Sequence, residues 1–243
     1  MKNHEFTYQN PVIRGFCPDP SICSANEFYY LVCSSFQYFP GIPIYESKDL
    51  INWELIGHVL TRDSQLPLTH AGNVGGLYAP TVRFHKGRLY VVVTNVNGCG
   101  NFLVWTDDIH GDWSEPVPID RDGIDPSLCF EENRVFFMSN HGDSDGGASI
   151  LQCEIDPVSG KILTEVRAIW RGCGGRYLEG PHLYRINGFY YLMAAEGGTE
   201  YGHMEVIARS NSPYGPFETP PTDSPDANPF LTNRNLGGYP LQG

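Results

Sequence analysis

Short apolar runs punctuate the chain, and none extends to the length of a helix. Four of them are Phe28-Tyr29-Tyr30-Leu31-Val32, Leu89-Tyr90-Val91-Val92-Val93, Val135-Phe136-Phe137-Met138 and Phe189-Tyr190-Tyr191-Leu192-Met193. They are rich in β-branched and aromatic residues and bounded by turn formers, which predicts strands. Each follows a shorter run that opens at a proline: Asp19-Pro20-Ser21-Ile22, Ala79-Pro80-Thr81-Val82, Asp125-Pro126-Ser127-Leu128 and Gly180-Pro181-His182-Leu183. Aligned on the proline, an aromatic falls ten residues later in every unit, at Tyr30, Tyr90, Phe136 and Tyr191. A polar turn lies between: Ser24-Ala25-Asn26-Glu27, His85-Lys86-Gly87-Arg88, Glu131-Glu132-Asn133 or Asn187-Gly188. Each unit therefore reads as a β-hairpin.

Beyond each hairpin comes another strand and a polar turn closed by a large apolar residue. Examples are Ser47-Lys48-Asp49-Leu50-Ile51-Asn52-Trp53, Thr106 to Trp113 and Ser210 to Phe217, with a looser version at Asp156-Pro157-Val158-Ser159-Gly160-Lys161-Ile162-Leu163. The prolines are 60, 46 and 55 residues apart. A repeat of about 50 residues with four strands per unit predicts propeller blades. A β-sandwich with chance likeness among its strands is the competing architecture. After the fourth unit, a stretch from Thr219 to Asp226 resembles a linker, and the chain reads as ending where a fifth unit would begin.

Composition sharpens this picture. The 27 glycines and 19 prolines among 243 residues supply frequent turns, and charged residues at 18% with hydrophobic ones at 41% argue for a packed protein over a disordered one. A net charge of −12 disfavours a nucleic-acid partner. No basic amphipathic stretch or long apolar run suggests a membrane. The start, Met1 to Phe6, lacks the apolar core of a secretory signal, and the seven scattered cysteines include no CxxC pair. Both features lead to the expectation of free thiols in a cytoplasmic protein without a structural zinc site.

In a propeller the first strand of each blade lines the central axis, so equivalent positions converge at one end. Those positions hold Asp19, Ala79, Asp125 and the Glu179-Gly180 pair, which places a carboxylate on three of four units. Asp-Pro is also an ordinary turn starter. Clustered carboxylates repel and lose hydration, which makes them a candidate functional site. Two chemistries suit them: oxygen ligation of a cation, and glycoside hydrolysis, which needs an acid for the leaving oxygen and a base for water. Phe36, Tyr38, Phe39 and Tyr78 are aromatics on which a sugar face could pack. A carbohydrate-binding propeller without catalysis, and an interaction module whose acids hold a cation, remain open alternatives.

At these residues the chain resembles glycoside hydrolase family 43, the five-bladed propellers that include β-xylosidases and α-L-arabinofuranosidases. The likeness runs through Asn10 to Ile22, Gly123 to Leu128 and Leu178 to Tyr184. The resemblance implies an all-β, five-bladed β-propeller architecture with about four blades present, residues 1–243 forming one catalytic domain incomplete at its C-terminus. It implies inverting hydrolysis with Asp19 as general base, Glu179 as general acid, and Asp125 as an ionised neighbour that raises the pKa of Glu179. Ser34 to Ile44, Ser47 to Trp53 and Ala195 to Thr199 are similar to the β-xylosidase branch. By that likeness Phe36, Tyr78, Ala79 and Thr199 bind substrate, with Tyr78 standing where the family often has Trp. The implied partner is a xylo-oligosaccharide or an arabinosyl substrate, and a homo-oligomer is compatible with it. No cofactor is required. The family often carries an axial structural calcium, but its usual His ligand would lie beyond Gly243, so no metal ligand is assigned here. Relatives continue past Pro240-Leu241-Gln242-Gly243 with a fifth blade, a substrate-binding Arg and often a β-sandwich, so the chain reads as truncated.

Overall fold

A computed structural model describes residues 7–66, 68, 71–142, 148–224 and 227–232. The segments 1–6 and 233–243, where the sequence was read for a leader and for a missing continuation, lie outside the described residues, as do residues 225–226 of the linker-like stretch. The fold is all-β. Among the described residues the one helical element is a 3-10 turn at Gly72–Val74, and no helix is long and apolar enough to cross a membrane.

Among the described residues, sixteen strands form four separate four-stranded antiparallel sheets, each built from consecutive strands. Blade 1 holds β1 (Ser21–Ala25), β2 (Phe28–Val32), β3 (Gly41–Ser47) and β4 (Glu54–Leu60). Blade 2 holds β5 (Gly76–His85), β6 (Arg88–Val96), β7 (Gly100–Thr106) and β8 (Val117–Pro118). Blade 3 holds β9 (Ser127–Phe130), β10 (Val135–Gly142), β11 (Ala148–Glu154) and β12 (Arg167–Trp170). Blade 4 holds β13 (Glu179–Ile186), β14 (Phe189–Glu196), β15 (Met204–Ser210) and β16 (Leu231–Thr232). The first strands lie against one another in the series β1, β5, β9, β13, so they line the axis.

Local sequence explains the units. The pairs Ala25 with Phe28, His85 with Arg88 and Ile186 with Phe189 close two-residue turns, as the repeat predicts. In two of them both turn residues have positive φ, Lys86-Gly87 and Asn187-Gly188, the conformation that matches strand twist. After the third strand, a hydroxyl at the strand end captures the following amides: Ser47 Oγ accepts from the Asp49 and Leu50 amides, Thr106 Oγ1 from Asp108, and Ser210 Oγ from Ser212. These are the polar turns seen in the sequence.

Apolar side chains fill the spaces between neighbouring blades. One cluster joins blades 1 and 2 through Val32, Ile44, Val82 and Val91; a second joins 2 and 3 through Val92, Leu103, Leu128 and Phe137; a third joins 3 and 4 through Phe136, Ile150, Leu183 and Leu192. Burial between sheets thus supplies the cohesion, and the axis is left to polar groups.

One of those groups spans the axis. Arg83 of β5 donates from Nε to the Leu128 carbonyl on β9 at 3.1 Å, and from Nη2 to His182 Nδ1 on β13 at 2.8 Å. Its guanidinium also lies 5.3 Å from the ring centre of Tyr184. Because Arg only donates, His182 Nδ1 accepts and Nε2 carries the ring proton. Burial and the adjacent Arg83 charge hold His182 neutral, with its pKa down at about 3. The same cation lies close enough to Cys23 of β1 and Cys129 of β9 to oppose the upward push of burial on both thiols. All seven cysteines are free thiols.

Candidate active site

The four blade openings share a backbone conformation. Asp19, Ala79, Asp125 and Gly180 each precede a blade-opening proline, with φ of +54°, +33°, +54° and +59°. The residue before proline normally favours extended backbone, and a non-glycine residue in the left-handed region carries about 1–3 kcal/mol of strain. Three of the four positions accept it. In blade 4, Gly180 takes the left-handed position and the acid moves one residue back, to Glu179. The sequence reading treated Glu179-Gly180 as one position; the backbone divides the work between them.

The acids are not all on strands. Asp19 and Asp125 stand just ahead of β1 and β9, whereas Glu179 begins β13 and Tyr78-Ala79 lie within β5. Strands β5 and β13 each slip register across the proline, between Tyr78 and Thr81 and between Glu179 and His182. These bulges re-aim the strand starts toward the axis.

Asp19 is held by Ser34, whose hydroxyl donates to Asp19 Oδ2. Ser34 Oγ in turn accepts the Ala79 amide at 2.6 Å. Asp125 Oδ2 accepts the Gly180 amide at 3.1 Å, and its segment is tied to β10 by the Ile124 amide on Asn140 Oδ1 at 2.8 Å. The loop before Glu179 is pinned by the fully buried Glu196, which accepts the Cys173 amide at 2.6 Å and the Gly175 amide at 3.0 Å.

Electrostatics couple the three carboxyls. Burial raises Asp19; the Ser34 hydrogen bond and the charge of His203 oppose it. Burial also raises Glu179, with His203 opposing and Asp19 adding repulsion. Asp125 keeps some accessible surface, but its carboxyl sits deep in protein. Burial pushes it up to about 8, and Glu179 and Asp19 add to the rise while the Gly180 hydrogen bond opposes it. At Glu179 the upward push comes from burial and from Asp19.

The aromatic positions group on one side. Phe36 stacks on Phe16 with ring centres 5.8 Å apart and meets Tyr78 edge-on at 5.1 Å. Phe36 is tied to β5 by paired hydrogen bonds with Leu77, each 3.0 Å. A Cβ on Gly76 would lie 2.1 Å from the Phe36 carbonyl oxygen, so this approach requires glycine there. Tyr78 points its hydroxyl to the Val74 carbonyl at 2.6 Å. Ser34 therefore brings Ala79 to Asp19, and Phe36 and Tyr78 stand beside them in sequence and contact. Thr199 is exposed on the loop between β14 and β15, and it joins the group only by sharing that loop with His203.

Sequence reasoning missed Ser34, Arg83 and His203. His203 Nδ1 donates to the Gly198 carbonyl at 2.8 Å, and its charge acts on Asp19, Glu179 and Glu205. Nothing in the repeat marks a loop histidine. Ser34, by contrast, sits just past the end of β2, a place the repeat does locate.

The implied axial calcium does not fit the described residues. Arg83, itself a cation, occupies the axial layer. Among the described residues no three His, Cys, Asp or Glu side chains gather as a metal site. The three acids act on one another electrostatically.

The sequence model described as "Glycosyl hydrolases family 43" matches residues 8–235. The chain is 45% identical over 240 residues to a non-reducing end alpha-L-arabinofuranosidase of Bacteroides ovatus, covering 97% of this chain and 44% of that protein. It is 39% identical over 245 residues to a beta-xylosidase of Bacillus subtilis, covering 96% and 45%. The solved xylan beta-1,4-xylosidase from Bacillus halodurans superposes with a TM-score of 0.81 at 38% identity, over 90% of this chain and 44% of that one. The chain spans less than half the length of these relatives.

Proposed function

The chain belongs to the glycosyl hydrolases of family 43, and we propose that it carries the catalytic acids of an enzyme releasing xylose or arabinose from the ends of xylo-oligosaccharides. The observation that supports this most is the electrostatic grouping of Asp19, Asp125 and Glu179, each with its pKa raised by burial. An upward shift favours the protonated form that a general acid needs, beside carboxylates able to accept a proton.

In this reading Glu179 protonates the glycosidic oxygen as the bond to the sugar breaks. A water attacks the anomeric carbon from the opposite face and gives its proton to Asp19. The sugar leaves with inverted configuration. Asp125 is the modulator of Glu179: the two carboxyls interact electrostatically, and the Gly180 amide that follows Glu179 binds Asp125 and ties the two segments together. Phe36, Tyr78 and Ala79 would pack one sugar unit, with Thr199 at its rim. Names of relatives point to both xylosides and arabinosides, and Tyr78 in place of a larger ring leaves the choice to experiment.

The test is turnover of aryl β-xyloside and aryl α-L-arabinofuranoside, with the first-formed sugar anomer read by proton NMR. An inverted anomer supports the reading. A retained anomer refutes the single-step mechanism, and absence of turnover in the full-length protein refutes the hydrolase reading.

A further inference from the structure

Ser34 is 3% exposed and held at both ends. Its backbone N–H donates to the Pro18 carbonyl at 3.1 Å, one residue before Asp19. Its hydroxyl oxygen accepts the Ala79 amide at 2.6 Å. A serine hydroxyl has one proton, and with that acceptor role taken, the proton is directed to Asp19 Oδ2. We propose that Ser34 is the positioning residue of Asp19, a clamp between blades 1 and 2 that fixes Oδ2 as a hydrogen-bond acceptor and leaves Oδ1 to receive a proton. The assignment of Asp19 as base rests on the proposed function; the clamp itself does not.

The clamp has a chemical consequence. A hydroxyl donating to a carboxylate favours its ionised form, and Asp19 would otherwise be raised further by burial. The other groups acting on Asp19 come from separate elements. His203, from the loop between β14 and β15, favours the anion. Glu179 at the start of β13, Asp125 ahead of β9 and Cys33 just past β2 are each raised by Asp19, so they are its electrostatic neighbours. Ser34 is the one neutral donor in this set, and its removal changes no formal charge. A shift in Asp19 that follows therefore reports the loss of the clamp.

The experiment follows the Asp19 carboxyl directly. Protein carrying 13Cγ-aspartate is titrated by NMR, and the Asp19 signal is assigned by its loss in Asp19→Asn. Ser34→Ala is expected to move the Asp19 midpoint upward by about one pH unit, the usual scale for such a bond. Ser34→Thr, which keeps the hydroxyl, should restore it. Ser34→Cys, nearly isosteric and a weak donor, should fall between and carries the test if Ser34→Ala does not fold. An unchanged midpoint in a folded Ser34→Ala or Ser34→Cys protein overturns the proposal. In the active enzyme the acidic limb of the kcat/KM profile should move up with the NMR midpoint. A shifted midpoint in a protein that hydrolyses nothing would leave the clamp standing and sink the hydrolase reading. A shifted midpoint with an unmoved acidic limb would remove Asp19 from the role of base.

Discussion

Gly180 donates its amide to Asp125 Oδ2 at 3.1 Å, and each of the two stands directly before a blade-opening proline in the left-handed region. The bond joins blade 3 to the residue that follows Glu179. A displacement of the backbone beside Glu179 is thereby felt at Asp125, 54 positions away in sequence.

Asp125 should make stability fall with rising pH. Its pKa is raised to about 8 in the folded chain, against about 3.9 when unfolded. The folded state therefore holds more protons between these values, and the stabilising contribution present below about pH 4 is lost as pH climbs through about 8. Asp125→Asn keeps an acceptor for the Gly180 amide and removes the titration. Urea melts at pH 5 and pH 8 should show a smaller loss of stability in the variant than in the parent; an identical loss would contradict the assignment.

Glu179→Ala should separate substrates by leaving group. A poor leaving group needs protonation and should lose about 100-fold or more in kcat. An activated aryl glycoside should lose far less. Asp19→Ala should damage both about equally, because water activation is needed in either case. Comparing kcat for an aryl xyloside and a xylo-oligosaccharide decides the matter, and equal damage by the Glu179 change counts against its role as acid.

Arg83→Met should destabilise the fold by about 1–3 kcal/mol, since it leaves the Leu128 carbonyl and His182 Nδ1 without their donor. His182→Ala should cost much less in the Arg83→Met background than alone, because the two share one interaction. Denaturant midpoints of the two single variants and the double variant measure that coupling.

Ala79→Gly should be neutral or stabilising by up to about 1 kcal/mol, the reverse of the usual effect inside a strand. At φ +33° the Cβ of Ala79 is strained, and the equivalent position in blade 4 already holds glycine. Thermal unfolding of the variant tests this, and a clear destabilisation would show that the methyl group packs where the backbone suggests strain.

Much of the architecture was legible because a propeller repeats. Proline at a fixed distance from an aromatic reports a hairpin in each of four units, and the polar turns report the third strand. The convergence of Asp19, Asp125 and Glu179 followed from equivalence of those units. What the repeat could not reveal were groups supplied by departures from it. His203 lies in the loop between the second and third strands of blade 4, outside the repeated proline-to-aromatic pattern, and Arg83 has Cys23, Cys129 and Tyr184 at the equivalent places of the other units. How deeply each carboxyl is enclosed is likewise set by the fold and is not visible in the repeat.

Arg83 gives the axis a floor. It reaches across from β5 to β9 and β13 three or four residues below the carboxyls, roughly 10–13 Å at the rise of a strand. A polysaccharide threading the ring would meet that guanidinium and stop. Under the proposed function, a sugar bound at Asp19 and Glu179 would enter and leave from the carboxyl side of that guanidinium.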